Sequence, residues 1–391
     1  MFDHCCQISL LLILIWSVWI KSEFVDESNS LIDTLPRYVM YDINQSEGFN
    51  LRRDVFLRMA TFIRHLNQIS NYSWILVLPP WNQLYHWRSM HINQDNLPWS
   101  LFFNLDAIKK TTPIIETHEF VEINGLRPID VYVTLQHYRG LSDPNHDWSD
   151  KWEVTDCVDI KKNQVWNYTN LTSLMNLCLS FQGPSSLLIE IINDFNPRTI
   201  MFNHAEVILH DYYGGSEYWL IRKSMQFATD LKNIANTFKT NFLLDKYLCV
   251  HLRRRDFLYG RPQEVPSIEW AASQILEKLQ SLKNLKFVFV STDASDKEFY
   301  NLKELLIGYN VIKYDANEEI LKSYKDGGVA IIDQIICSQA DYFIGTHEST
   351  FSFRIQEERE ILGFHPETTF NRLCGDKMKD CAQPSKWRLV T

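Results

Sequence analysis

Between residues 37 and 80 the chain reads as strand, helix, strand, and that order leaves few folds open. "RYVMYDI" (37–43) is a short apolar run suited to a buried strand. Leu51, Val55, Met59, Ile63 and Leu66 then recur every three or four residues, which predicts an amphipathic helix that Asn50 is placed to cap. "SWILVLPP" (73–80) is a second apolar run, stopped by two prolines. Two strands joined by a helix in so few residues must pair in parallel, with the helix crossing over one face of the sheet.

The same alternation returns in the second half. "KYLCVHL" (246–252), "KFVFVSTD" (286–293) and "DYFIG" (341–345) read as strands, and "SIEWAASQILEKLQSL" (267–282), "GGVAIIDQIICSQ" (327–339) and "FSFRIQEERE" (351–360) as helices. A chain of 391 residues has room for two such units. The expectation is therefore an α/β protein of two Rossmann-like domains facing a cleft, residues 23–240 and 241–391. Residues 81–185, rich in Trp, Asn, Asp and Pro, carry no clear period, and "LSDPNHDWSDKW" (141–152) has the composition of a surface loop.

Compartment is legible at the N-terminus. "ISLLLILIWSVWI" (8–20) has the length of a signal-peptide core and is short for a membrane span, so residues 1–22 read as a signal peptide or signal anchor. Sequons stand at Asn44, Asn71, Asn167 and Asn170. A glycan at Asn44 would crowd the loop that follows the first strand. Six cysteines lie beyond the leader. "CGDKMKDC" suggests a bridge between Cys374 and Cys381, and Cys157 with Cys178 is a second plausible pair. Cys249 and Cys337, in apolar strand and helix patterns, are expected as free buried thiols. A net charge of −9 argues against a general nucleic-acid-binding role.

Ligands of parallel sheets bind beyond the carboxyl ends of the strands. Four segments fall there: "NQSEGFN", "HLRRRD", "STD" and "GTHESTFSF". In the first, Gly48 allows close backbone approach and the following helix offers unpaired N–H groups to an anion. Glu47 is out of place in such a turn; it is either a solvated loop carboxylate or a group placed to take a proton. In "HLRRRDF" three arginines end a buried strand and should meet anions, as phosphate or as a carboxylate cluster around Asp256. Asp333 interrupts an apolar helix and needs a donor, from a ligand or from the protein. Ser349 and Thr350 precede a helix and could cap it or face a phosphate. The sequence shows no C-x-x-C pair, no H-E-x-x-H and no D-x-D, so no metal site is expected.

Taken in order, "EGFNLRRDV", "LVLPPWNQLYHW", "HLRRRDF", "YKDGGVAIIDQ", "GTHESTFSFRIQEEREILG" and "NRLCGD" resemble the GDP-fucose protein O-fucosyltransferases across residues 37–387. The likeness is to the branch acting on thrombospondin type 1 repeats. It implies a GT-B glycosyltransferase fold and inverting, metal-independent transfer of fucose from GDP-β-L-fucose to Ser or Thr of folded repeats in the endoplasmic reticulum lumen. It also implies roles: Glu47 as general base, Arg253 steadying the departing GDP, and Gly48, Phe49, Asn50, His251, Asp333, Ser349, Thr350 and Phe351 around the donor. Neighbouring readings are O-fucosylation of epidermal-growth-factor-like repeats, or a non-catalytic secretory lectin or chaperone of the same fold.

Overall fold

The computed structural model describes residues 35–125, 127–138, 145–157, 165–166, 171–282, 284–376, 378 and 380–390. The leader, the sequons at Asn167 and Asn170 and part of the 141–152 loop lie outside the described residues. No helix among the described residues is long and apolar enough to cross a membrane.

The first half opens with β1 (Arg37–Tyr41), α1 (Phe49–Ile69) and β2 (Trp74–Leu78), as the periodicity predicts. Helices α2 (Leu105–Lys109) and α3 (Thr117–Asn124) flank β3 (Ile114–Glu116). There follow β4 (Ile129–Gln136), β5 (Lys151–Thr155), β6 (Ser173–Gln182), α4 (Leu188–Phe195) and β7 (Thr199–Asn203). The seven strands form one sheet in the order β3-β2-β1-β7-β4-β6-β5, parallel except where β5 runs against β6. Because β1 lies between β2 and β7, the chain leaves it toward one side and returns on the other. The loop after β1, which holds Glu47, therefore opens at a topological switch point.

Helices α5 (Ser216–Ser224) and α6 (Thr229–Phe242) lead to the second sheet. It contains β8 (Tyr247–Leu252), β9 (Phe287–Thr292), β10 (Asn310–Ile312) and β11 (Tyr342–Ile344), all parallel, in the order β10-β9-β8-β11. Its helices are α7 (Arg255–Gly260), α8 (Ile268–Leu282), α9 (Asp296–Leu305), α10 (Glu318–Ser338) and α11 (Thr350–Ile361).

The strand period of two sorts the second sheet's side chains. Leu248, Val250, Val288 and Val290 pack with Ile275 and Leu279 of α8 and Leu302 of α9. Cys249, Phe289, Ile331 and Ile335 instead join an apolar cluster that runs on through Val39, Leu76, Phe56 and Phe62 of the first half. One continuous core thus spans both sheets, and α1 is buried on nearly every side because it lies inside it. Leu51 alone of the five periodic positions is only partly buried.

Two expectations need correcting. Gly48, not Asn50, occupies the N-cap of α1, and no side chain caps that helix. Cys249 and Cys337 are not free thiols but are joined in a disulfide, as are Cys157 with Cys178 and Cys374 with Cys381. The buried face of β8 carries Cys249 straight onto α10, with a Cα–Cα distance of 5.1 Å. The pairing was hidden because 88 residues separate the two cysteines and only the tertiary fold joins them. Replacing both with alanine should lower unfolding stability by about 2–5 kcal/mol, read from denaturant titration under non-reducing conditions; an unchanged midpoint would count against the bridge.

Candidate active site

On the first-half side of the cleft, the turn after β1 is held by its own backbone. Glu47 N–H donates to the Asn44 carbonyl at 3.0 Å, and Arg52 Nε donates to the Glu47 carbonyl at 3.0 Å. Asn44 Oδ1 accepts from the Ser46 N–H and hydroxyl, each at 3.1 Å, so the sequon asparagine is itself part of the turn. With its backbone so fixed, the partly buried Glu47 carboxylate has no hydrogen-bond or ion-pair partner among the described residues. Burial raises its pKa first, and the neighbouring Glu206 carboxylate adds to this against the opposing Arg52 and Arg58. A carboxylate left unpaired and made more basic is what proton abstraction needs.

The next residues divide. Phe49 turns its ring into a cluster with Trp81, Phe102 and Phe103, leaving only its backbone near the loop. Asn50 Oδ1 accepts from Arg53 Nη1 at 3.2 Å and from Gln334 Nε2 at 2.9 Å, which links α1 to α10 beside Asp333.

On the other side, β8 ends in the three arginines, and each does something different. Arg253 pairs with Asp256 at 2.5 Å and Asp293 at 3.0 Å. Arg254 is buried, held by Glu298 at 2.8 Å and by the Pro266 carbonyl. Arg255 reaches the Asp293 carbonyl from the surface. The carboxylate cluster around Asp256 is therefore real. Both Nη2 hydrogens of Arg253 are taken, by Asp256 and His86, while Nη1 faces Asp293 as an ion pair without a hydrogen bond, so the guanidinium keeps donors for a ligand.

His251 is buried, stacks on Phe351 with centroids 4.5 Å apart, and lies 2.8 Å from the Ser352 hydroxyl through Nδ1. Burial, helped by Arg253, brings its pKa down to about 3, so it is neutral at physiological pH. The Thr346 hydroxyl donates to the His251 carbonyl and accepts from the Arg253 N–H, joining the β8 end to the loop before α11. Ser349 is the N-cap of α11 but makes no capping hydrogen bond, and Thr350 is exposed beside it. Two helices, α1 and α11, thus bring N-termini without side-chain caps to the strand ends, an arrangement suited to an anion. Asp333 accepts from Ser291 at 2.7 Å through Oδ2, while Oδ1 is enclosed without a partner. Burial pushes its pKa up to about 7, against the Ser291 hydrogen bond.

One residue that sequence reasoning gave no role joins the two sides. His86, in the loop after β2, receives Arg253 Nη2 on Nδ1 at 3.2 Å. A Cβ added at Gly48 would lie 3.2 Å from His86 Nε2 and 3.1 Å from its Cδ2. A Cβ at 48 would thus crowd the His86 ring by a few tenths of an ångström; the backbone there is extended, which any residue adopts. The signal was available in "LYHW", a polar ring between aromatics, but nothing in the sequence places it against residue 48 or 253. Its loop is pinned on α10: Asp326 accepts from the Ser89 N–H at 2.9 Å and hydroxyl at 2.6 Å and from Gln94 at 3.1 Å. A Cβ at Gly327 would come within 2.8 Å of both Trp87 and Phe102, which explains the glycine after Asp326 in "YKDGGV". Among the described residues, no group of three His, Cys, Asp or Glu side chains could hold a metal ion.

Residues 38–362 match the family described as GDP-fucose protein O-fucosyltransferase. The chain belongs to this family. Human GDP-fucose protein O-fucosyltransferase 2 is 41% identical over 392 residues, covering 90% of each chain. The protein of the same name from Caenorhabditis elegans is 38% identical over 407 residues, covering 94% of this chain and 93% of its own. Among solved structures, POFUT1 in complex with GDP superposes with a TM-score of 0.61 at 18% identity, over 88% of this chain and 100% of that one. POFUT1 in complex with GDP-fucose gives a TM-score of 0.60. At that identity the likeness bears on the fold, which is the GT-B glycosyltransferase architecture expected from the sequence. As an O-fucosyltransferase the chain is an enzyme of the glycosyltransferase class. The family match covers Glu47, His86, Arg253, Asp333 and Ser349 alike.

Proposed function

We propose that this chain transfers fucose from GDP-β-L-fucose to a Ser or Thr hydroxyl of folded thrombospondin type 1 repeats, with inversion and without a metal ion. The observation that carries the reading is that Gly48, next to Glu47, and Arg253 touch the same imidazole from opposite halves of the chain. An acid–base group and a fixed cation so placed can flank one sugar. Glu47 takes the acceptor proton as the hydroxyl oxygen bonds to the anomeric carbon. The bond from that carbon to the β-phosphate oxygen breaks on the opposite face, and GDP leaves with the bonding pair. The free donors of the Arg253 guanidinium and the N-termini of α1 and α11 meet the charge that develops, which lowers the barrier more than it tightens ground-state binding.

Gly48 and Asn50 take the donor's near side, and His251, stacked on Phe351, lies beside the nucleotide with Ser349 and Thr350 about the diphosphate. The unpartnered Asp333 Oδ1 suits the paired N–H donors of a guanine edge. Residues 23–240 are read as the acceptor side and 241–391 as the donor side. The three disulfides fit an oxidising compartment, which supports a site of action in the secretory pathway, in the endoplasmic reticulum lumen.

Incubation with GDP-fucose and a folded thrombospondin repeat in EDTA should add the mass of one deoxyhexose to the repeat. An epidermal-growth-factor-like repeat in parallel should gain none. Transfer that required added divalent metal would refute the metal-free scheme, and transfer confined to the second acceptor would reassign the specificity.

A further inference from the structure

We propose that His86 is a positioning residue for the transfer step: as the neutral tautomer protonated on Nε2, it accepts one N–H of Arg253 and fixes which guanidinium edge faces the departing diphosphate. The inference rests on the transfer function proposed above and adds to it a residue, a tautomer and a link between the two halves of the molecule.

The tautomer follows from hydrogen-bond chemistry. A guanidinium has only donors, so the contact between Arg253 Nη2 and His86 Nδ1, 3.2 Å, requires an unprotonated Nδ1. A neutral imidazole then carries its proton on Nε2, the atom that would lie 3.2 Å from a Cβ at Gly48. That N–H adds a donor at the N-terminus of α1, next to Glu47. It also disqualifies His86 as the base, since one nitrogen is already engaged and the other already protonated.

The charged groups facing the ring are Arg253 and Arg88, which oppose a second proton, and Asp256 and Asp293, which favour one. Although His86 keeps an exposed edge, desolvation by the groups packed around the ring acts first and Arg253 next, and the imidazole pKa is lowered. His86 therefore stays an acceptor for Arg253 where an ordinary imidazole would begin to charge and repel it.

His86 is exposed, but the loop that carries it is fastened. Trp87 is buried against Phe49 and Phe102, and Asp326 fastens Ser89 and Gln94 to α10. Asp256 and Asp293 already hold Arg253 from within its own half of the chain. His86 is the contact from the other half, and removing it frees the guanidinium to turn toward its carboxylates and away from the leaving group.

The test compares the wild-type chain with His86→Ala and His86→Asn in GDP-fucose transfer to a folded thrombospondin repeat. His86→Ala should lower kcat by about tenfold or more, the loss of one charge-assisted hydrogen bond, with donor KM little changed. His86→Asn, whose Oδ1 can still accept from Arg253, should recover part of that loss. A folded His86→Ala with wild-type kcat, or a loss confined to KM, would overturn the proposal while leaving the transfer function standing. A second readout needs no turnover: ¹⁵N imidazole NMR of the intact chain at about pH 6.5, where an unperturbed histidine is half protonated. The expected signal is a neutral ring protonated on Nε2 that shifts on adding GDP. A cationic ring, or one protonated on Nδ1, would sink the assignment. If wild type transferred no fucose yet gave the expected GDP-sensitive signal, the transfer function would fail and the placement of His86 would hold.

Discussion

Glu47→Gln should lower fucose transfer by about 10²–10⁴-fold and leave GDP affinity within a few-fold of wild type. The amide keeps the size of the side chain, and the turn survives because it is held by the Glu47 backbone rather than by its carboxylate. What would be lost is the group proposed to take the acceptor's proton. Isothermal titration with GDP, alongside transfer kinetics, separates the two effects. Equal loss of binding and rate would place Glu47 against the donor phosphates and end its role as the base. The pH dependence has a definite sign. Burial and then Glu206 raise the Glu47 pKa, so the basic form is lost, as pH falls, earlier than for a free glutamate near 4.3. The acid limb of kcat should therefore lie above the ordinary carboxylate range. Glu206→Gln, which removes a repelling charge, should move that limb to lower pH.

How much of this was legible in the sequence depends on whether the information was local. The βαβ unit at 37–80 and the strands at 246–252 and 286–293 follow from spacing of apolar residues, and the structure places them within a residue or two of expectation. Strands β3 to β6 escaped because the first sheet is mixed at its edge and β5 is half exposed, so no clean alternation marks it. Glu47 and Arg253 stood out as charges at strand ends. His86, Asp326 and Gln94 did not, since their hydrogen bonds across the two halves join residues 167 and 232 positions apart. The triple arginine shows the same limit from another side. Sequence gives three equal cations, while the fold assigns one to the cleft, one to a buried clamp on Glu298 and one to the surface.

The largest expected loss of stability comes from a site far from the chemistry. Glu357 is fully buried on α11, accepts from Arg222 Nε at 2.5 Å and from the Tyr218 hydroxyl, and forms an ion pair with Arg354 Nη2 at 2.8 Å. Arg354 continues to Asp54 of α1 at 3.3 Å, and Asp54 is paired with Arg58 and lies 3.1 Å from His210. Burial alone would raise the Asp54 pKa. The His210 hydrogen bond and the Arg354 and Arg58 guanidiniums overcome that and hold it well below the usual range. Glu357→Ala leaves two guanidiniums inside the protein with too little negative charge, and should cost about 3–5 kcal/mol of unfolding free energy. Glu318→Gln, which breaks the exposed pair with Lys322, should cost less than about 1 kcal/mol under the same denaturant titration. Matching losses would mean that the network is solvated and contributes no more than a surface pair. The network also bears on the site. It fastens α11, whose N-terminus carries Ser349 and Thr350, to α1, whose N-terminus follows Glu47. A weakened clamp should therefore appear as lower GDP affinity at denaturant concentrations well below global unfolding, because the two helix ends would no longer be held on one anion.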